Sequence, residues 1–242
     1  MDIRKGKLQY EGSTKKVYPT NDPDHLIMHF KNDVASSRGG TKSTIKNKGT
    51  INNTISSSLF QFLESYHIPT HFVKVFKSDE MLVKNLEIIP FEVRMWNFAT
   101  ASLSRCFGFP KGDVLACPIL EFYMKNDKLK NPMITIDHAC AFGYANRQEM
   151  KDIDKTVRKI NAILKSYFKR RELVLVDFRL EFGRFGDQIL VGDEISLDNC
   201  RFFHIRDGEI QNKELIPQDS VNMDAIYEQL KDQICFQGES GD

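Results

Sequence analysis

The chain of 242 residues has no apolar run approaching the ~20 residues that a membrane-spanning helix needs, which excludes a helical membrane protein. It also lacks an excess of either charge. Its 34 Lys and Arg stand against 33 Asp and Glu, a net +1 that argues against bulk nucleic-acid binding, where a basic surplus displaces counter-ions. Cysteine is sparse: Cys106, Cys117, Cys140, Cys200 and Cys235 include no Cys-x-x-Cys pair. Reduced thiols are therefore expected, and a zinc site would need distant residues to converge. The opening Met-Asp-Ile-Arg-Lys-Gly-Lys is charged and has no apolar stretch, so no export leader is expected and the chain is read as cytoplasmic. Internal repeats, a Walker loop, a His-Glu-x-x-His motif and a dinucleotide fingerprint are all missing.

What remains is the balance of a soluble globular protein, 41% hydrophobic and 28% charged, long enough for one large domain or two lobes. Residues 8–18 and 26–30 read as strands, parted by the turn-forming Asn21-Asp22-Pro23-Asp24. A long polar loop is expected over 32–53, after which Ile55, Leu59, Phe62, Leu63 and Tyr66 recur at helical spacing. Strands follow at 71–76, 81–89 and 91–98. Met150, Ile153, Val157, Ile160, Leu164 and Tyr167 form one apolar stripe, predicting a helix over 148–170. Its end, Lys169-Arg170-Arg171, reads as cations facing the helix dipole, or as an anion patch. Strands 173–182 and 189–196 join at Gly186-Asp187, and a last helix covers 224–234. Without regular βαβ alternation this is an α+β fold in two lobes, with the boundary near residues 88–90.

Chemistry concentrates in two places. Alternation along strand 176–183 puts Asp177, Arg179 and Glu181 on one face and Phe178, Leu180 and Phe182 on the other. The next strand carries Gly192-Asp193-Glu194. A three-residue turn would set Glu181 opposite Asp193, whereas a two-residue turn would put them on opposite faces. Such a carboxylate pair is either a Mg²⁺ mount or a charged edge making cross-strand ion pairs. The second place is Gly12-Ser13-Thr14-Lys15 between two strands, which either lays backbone N–H groups and an ammonium over phosphates or is an ordinary hairpin turn. The histidines are isolated, and His138, beside Asp137, is read as structural.

Read in order, several segments resemble the SAICAR synthetase family over residues 8–202. They are Tyr-Glu-Gly-Ser-Thr-Lys-Lys-Val-Tyr (10–18), Phe-Lys-Asn-Asp (30–33), Asn-Lys-Gly-Thr-Ile-Asn-Asn (47–53) and Leu-Val-Lys-Asn-Leu-Glu-Ile-Ile-Pro (82–90). Lys-Asn-Asp and Asn-Pro-Met (within 125–133), Val-Asp-Phe-Arg-Leu-Glu-Phe-Gly (176–183) and Gly-Asp-Glu-Ile-Ser (192–196) complete the set. The resemblance implies a small antiparallel β-rich lobe (1–88) covering ATP and a larger α+β lobe (89–242) holding the metal and substrate. It implies an ATP- and Mg²⁺-dependent ligase that activates the carboxylate of carboxyaminoimidazole ribonucleotide as an acyl phosphate and joins it to the amine of L-aspartate. Gly12, Ser13, Thr14 and Lys15 would then meet the phosphates, Lys84 and Leu86 would border the adenine, and Glu181 and Asp193 would hold Mg²⁺. Asp177, Arg179 and Lys15 would be catalytic, with Arg94, Trp96, Ser102, Asp177, Arg179 and Arg201 at the substrate. A homo-oligomer is the family expectation; no nucleic-acid or membrane partner is expected.

The substrate half departs from the pattern. Where the family reads Val-Arg-Asn-x-Ala-Ala-Gly-Ser, this chain has Met95-Trp96-Asn97-Phe98-Ala99-Thr100-Ala101-Ser102, so a substrate-binding arginine falls on Trp96. Arg94 lies two residues earlier on the same strand face. The strand lysine becomes Arg179, Ser-Pro-Asp becomes Ser196-Leu197-Asp198, and Trp-Asp becomes Phe203-His204. The first lysine of the phosphate loop is Ser13, and a later arginine-bearing run has no counterpart in 211–219. Two readings of Trp96 stand: a flat surface for stacking a ring, or a core residue with Arg94 in its place. Three other functions are weighed: a diverged relative acting on another heterocyclic carboxylate or amine, an idle nucleotide-binding scaffold, and a kinase acting on a hydroxyl with Asp177 as base.

Overall fold

The computed structural model describes residues 2–34, 43–211, 214–216 and 222–235. Two antiparallel sheets organise the chain. The first contains β1 (Tyr10–Glu11), β2 (Lys15–Pro19), β3 (His25–Phe30), β4 (Phe72–Lys77) and β5 (Glu80–Lys84), in the order β1-β2-β3-β5-β4. The second contains β6 (Glu87–Phe98), β7 (Val114–Met124), β8 (Met133–Ile134), β9 (Leu173–Phe185), β10 (Gln188–Gly192), β11 (Cys200–Arg206) and β12 (Glu209–Gln211). Its order is β12-β11-β9-β6-β7-β8, with β10 pairing on β9. The helices are α1 (Lys48–Ser65), α2 (Ala101–Phe107), α3 (Ile136–Ala141), α4 (Arg147–Lys169) and α5 (Met223–Cys235). The α+β class expected from the element pattern is the class found.

One hydrophobic core runs through both sheets. Met150, Ile153, Val157, Ile160 and Leu164 of α4 are fully buried in it, as the 3.6-residue stripe requires. Each such aliphatic side chain contributes roughly 1.5–3 kcal/mol by leaving water. The helix starts sharply: the Asn146 side chain accepts from the N–H groups of Gln148 and Glu149, and Glu149 reaches back to the Asn146 N–H. On β9, Phe178, Leu180 and Phe182 enter the core, so the opposite face is left to Asp177, Arg179 and Glu181.

The structure departs from the sequence reading in several places, among them β11 and β12, which were not expected, and β10, which ends at Gly192 rather than 196. Helix α1 begins at Lys48, inside the expected loop, because its first turns bury a polar face: Lys48, Asn52, Asn53, Ser56 and Ser57. Asn53 there donates to the carbonyls of Lys77 and Ser78. Strand β6 runs unbroken through Pro90, where the pairing to β9 shifts between Ile88 and Glu92 and the missing N–H is tolerated. Residues 99–147, unassigned from hydropathy, hold α2, β7, β8 and α3. No helix among the described residues is long and apolar enough to cross a membrane.

Candidate active site

A cavity of about 1090 Å³ opens between the two sheets, with Gly12, Ser13, Thr14 and Lys15 on one wall and Glu181 and Asp193 on the other. The loop on the first wall is closed by the Gly12 N–H, which donates to the Lys15 carbonyl at 2.8 Å. Lys15 then enters β2 with its ammonium directed across the cavity. There it pairs with Asp193 and, at 2.7 Å, with Glu194. Burial works against its charge, but the two carboxylates outweigh that and raise Lys15 above the usual lysine range. Burial likewise opposes ionisation of Asp193, yet Lys15 holds it below the usual carboxylate range.

The turn between β9 and β10 is the two-residue one: Phe185 pairs with Gln188, and Glu181 with Gly192. Strand alternation alone would therefore send Asp193 to the face away from Glu181. The backbone prevents this. Asp193 has φ +61°, a left-handed conformation that ends β10 and turns its carboxylate back to the cavity. Glu181 feels the result: burial first, and then the Asp193 charge, push its carboxyl above the usual range, while Lys125 opposes both. Lys125 donates to both Glu181 oxygens at 2.6 Å.

These groups fit Mg²⁺. Two hard carboxylates converge in a cavity with an open side, and their mutual repulsion favours a cation between them. Among the described residues no third His, Cys, Asp or Glu completes a protein-only cage. That matches an ion that takes one or two carboxylates and completes its shell with phosphate and water. Leu86 packs against the backbone on the same side, where a Cβ added to Gly183 would come within 2.7 Å of it. Lys84 donates to the Thr70 carbonyl at 3.2 Å, and both Lys84 and Leu86 line the cavity.

A polar row continues along the sheet. Glu92, Arg94 and Trp96 on β6 stand opposite Glu181, Arg179 and Asp177 on β9, and Arg201 on β11 is paired with Asp177 from the other side. The Asp177 carboxylate, 2% exposed, accepts from Arg201 at 2.6 Å and from Arg94 at 3.2 Å. Arg179 donates to the Asp198 carbonyl at 2.8 Å and reaches Glu92 at 3.4 Å. Burial, with Arg201 and Arg179 close by, lowers Arg94 below the usual arginine range against the pull of Asp177.

Trp96 is 1% exposed, and its indole N–H donates to Glu121 at 2.7 Å. The Arg94 guanidinium covers its ring at 3.9 Å. The indole is thus a floor for an arginine rather than an open surface for a substrate ring. Arg179 lines the cavity; Arg94, Trp96, Asp177 and Arg201 form the layer beside it. Ser102 lies in α2, and its side chain is outside the described part. Asp177, committed to two arginines, is poorly placed as the base of a kinase.

A sequence model of the SAICAR synthetase family matches residues 8–234. The chain belongs to the SAICAR synthetase family. It is 42% identical over 235 residues to the phosphoribosylaminoimidazole-succinocarboxamide synthase of Chlorobaculum parvum, covering 97% of this chain and all of that protein. The crystal structure of the same synthase from Ehrlichia chaffeensis superposes with a TM-score of 0.88 at 34% identity, over 94% of this chain and 98% of that one. A SAICAR synthetase in complex with ADP superposes over the full length of both chains, with a TM-score of 0.87 and 35% identity.

Three residues of the site lie inside the family segments but had no role attached from the sequence. Glu194 shares Lys15 with Asp193. Lys125 sits in the Lys-Asn-Asp segment that supported the family resemblance without a role attached. Lys48, 1% exposed, pairs with Asp198, the residue whose carbonyl holds Arg179. Lys48 stands in the Asn-Lys-Gly-Thr-Ile-Asn-Asn segment (47–53), but hydropathy does not register its burial on the polar face of a helix.

Proposed function

We propose that this SAICAR synthetase family member is an ATP-dependent ligase of purine biosynthesis. It joins the amine of L-aspartate to the carboxylate of carboxyaminoimidazole ribonucleotide, releasing ADP and phosphate. The observation that carries this is the cavity in which the glycine loop, Lys15, Glu181 and Asp193 meet in a chain that matches the synthases end to end. The ADP bound by a relative of the same fold supports nucleotide binding there.

Each residue has a defined task. The Gly12–Thr14 backbone and the Lys15 ammonium bind and orient the phosphates, and Lys15 stays charged throughout the working pH range because Asp193 and Glu194 hold its proton. Glu181 and Asp193 would hold Mg²⁺, which offsets the negative charge building on the transferring phosphoryl group. Leu86 offers an apolar wall and Lys84 a polar edge for the base. Arg179, fixed by the Asp198 carbonyl, positions the acceptor carboxylate, and Asp177 orients Arg94 and Arg201 toward the anionic nucleotide. The purine-pathway acid is favoured over another heterocycle because Arg94 restores a guanidinium over position 96.

The change of sheet between Lys84 and Glu87 supports a β-rich lobe over 1–88 and a larger lobe over 89–242. Phe107, Phe109 and Val114, close in sequence between the end of α2 and the start of β7, are exposed apolar residues, which supports a homo-oligomer. The reaction is assigned to the cytoplasm, where thiols such as the five free cysteines stay reduced. The test is ADP release with ATP, Mg²⁺ and L-aspartate, with and without the carboxyaminoimidazole nucleotide. Turnover requiring both acceptors supports the assignment; nucleotide binding without such turnover overturns it.

A further inference from the structure

Lys125 follows β7 directly, and its backbone is pinned. Its N–H donates to the Pro90 carbonyl at 3.1 Å, and the Asn126 N–H that follows donates to the Asn131 side chain at 2.7 Å. From there its side chain reaches past β6, the strand between β7 and β9, to place its ammonium on both oxygens of Glu181 at 2.6 Å. The side chain thus spans the width of β6. The side chain is 42% exposed and lines the cavity, so other rotamers are open to it. Glu181 differs from Asp193 in this respect, since the partner of Asp193 is Lys15, whose side chain is 16% exposed.

A carboxylate whose two oxygens are both taken by an ammonium cannot also bind a divalent cation through them. We propose that Lys125 is an exchangeable counter-ion of Glu181. It holds the carboxylate in place, yields both oxygens when the metal–nucleotide complex enters, and then turns its ammonium to the phosphates. This rests on the reading of Glu181 and Asp193 as the metal mount and names a residue that regulates access to it. The loop supplies the mechanism: a fixed backbone keeps the ammonium within reach of the cavity in either position.

The experiment is Mn²⁺ binding by electron paramagnetic resonance, without nucleotide, to the wild-type protein, Lys125→Met, Lys125→Arg and Glu181→Gln, with ATP affinity in Mg²⁺ measured alongside. Removing a partly exposed competitor should tighten Mn²⁺ binding by about fivefold in Lys125→Met. Lys125→Arg should stay near wild type, and Lys125→Met should bind ATP more weakly. Unchanged or weaker Mn²⁺ binding in Lys125→Met, with Glu181→Gln strongly impaired, overturns the exchange and leaves the metal mount standing. Unchanged Mn²⁺ binding in Glu181→Gln overturns the mount itself and the exchange with it.

Discussion

Arg94 lies over Trp96, its guanidinium carbon 3.9 Å from the ring centre, while the indole N–H is tied to Glu121. At the position where the family resemblance expects an arginine, this chain has a tryptophan with an arginine from two residues earlier packed on its face. Period-two geometry makes this possible, because residues 94 and 96 share a sheet face. Arg201 stands 5.6 Å from the same ring and shares Asp177 with Arg94, so the two guanidiniums are held side by side.

If Arg94 grips the anionic substrate, Arg94→Met should raise the KM for the nucleotide tenfold to a hundredfold, the range that a charge-assisted hydrogen bond of about 1.5–3 kcal/mol supports. The double variant Arg94→Val with Trp96→Arg should recover much of that loss. Steady-state kinetics on the three proteins checks this. An unchanged KM in Arg94→Met contradicts the role given to the pair.

Lys15 separates binding from folding. Lys15→Met leaves the buried Glu194 and the half-buried Asp193 without their cation, and breaking a buried pair typically costs about 3–5 kcal/mol. Thermal unfolding should show that loss, and ATP binding should vanish. Adding Asp193→Asn and Glu194→Gln to Lys15→Met should recover stability but not ATP binding, which calorimetry would register.

His71 sets an acid limit. Burial pushes it down to about 4 from an ordinary value of 6.5. The unfolded chain therefore binds a proton that the folded chain refuses between those values, and stability falls as pH drops from about 6.5 toward 4. The contribution is on the order of 3 kcal/mol, present in full above the unfolded value and lost below the folded one. Urea unfolding of His71→Gln from pH 7 to pH 4 should show a shallower loss than wild type. An equal slope removes His71 from the account.

Gly49 is where the first sheet presses on α1. A Cβ there would meet the Phe30 carbonyl oxygen at 2.3 Å, backbone that cannot step aside. Gly49→Ala should destabilise by about 1–3 kcal/mol, the usual range for overpacking. Chemical denaturation measures it.

The same end of the helix shows why the start of α1 was hidden in the sequence while its later turns, from Ile55, were legible. The stripe of α4 and the alternation of β9 were legible because their buried faces are apolar, and hydropathy reports apolar burial. The first turns of α1 bury Lys48, Asn52 and Asn53 against backbone carbonyls and a carboxylate, a pattern that resembles a surface loop. The carboxylate pair was half legible. Both acids could be named, but their convergence rests on a left-handed Asp193, a local backbone state that a strand pattern does not encode. Trp96 could be flagged as a departure, while its role depended on Arg94 and Glu121, brought together only by the sheet register.

The acceptor carboxylate should be activated by phosphate before the amine attacks. The direct measurement uses carboxyaminoimidazole ribonucleotide labelled with ¹⁸O in its carboxylate, with ATP, Mg²⁺ and ¹⁵N-labelled L-aspartate. Activation transfers one carboxylate oxygen to phosphate when the amine displaces it, so each amide formed should carry ¹⁵N and release one phosphate bearing a single ¹⁸O. Amide accompanied by unlabelled phosphate, or labelled acid recovered without amide, contradicts the account.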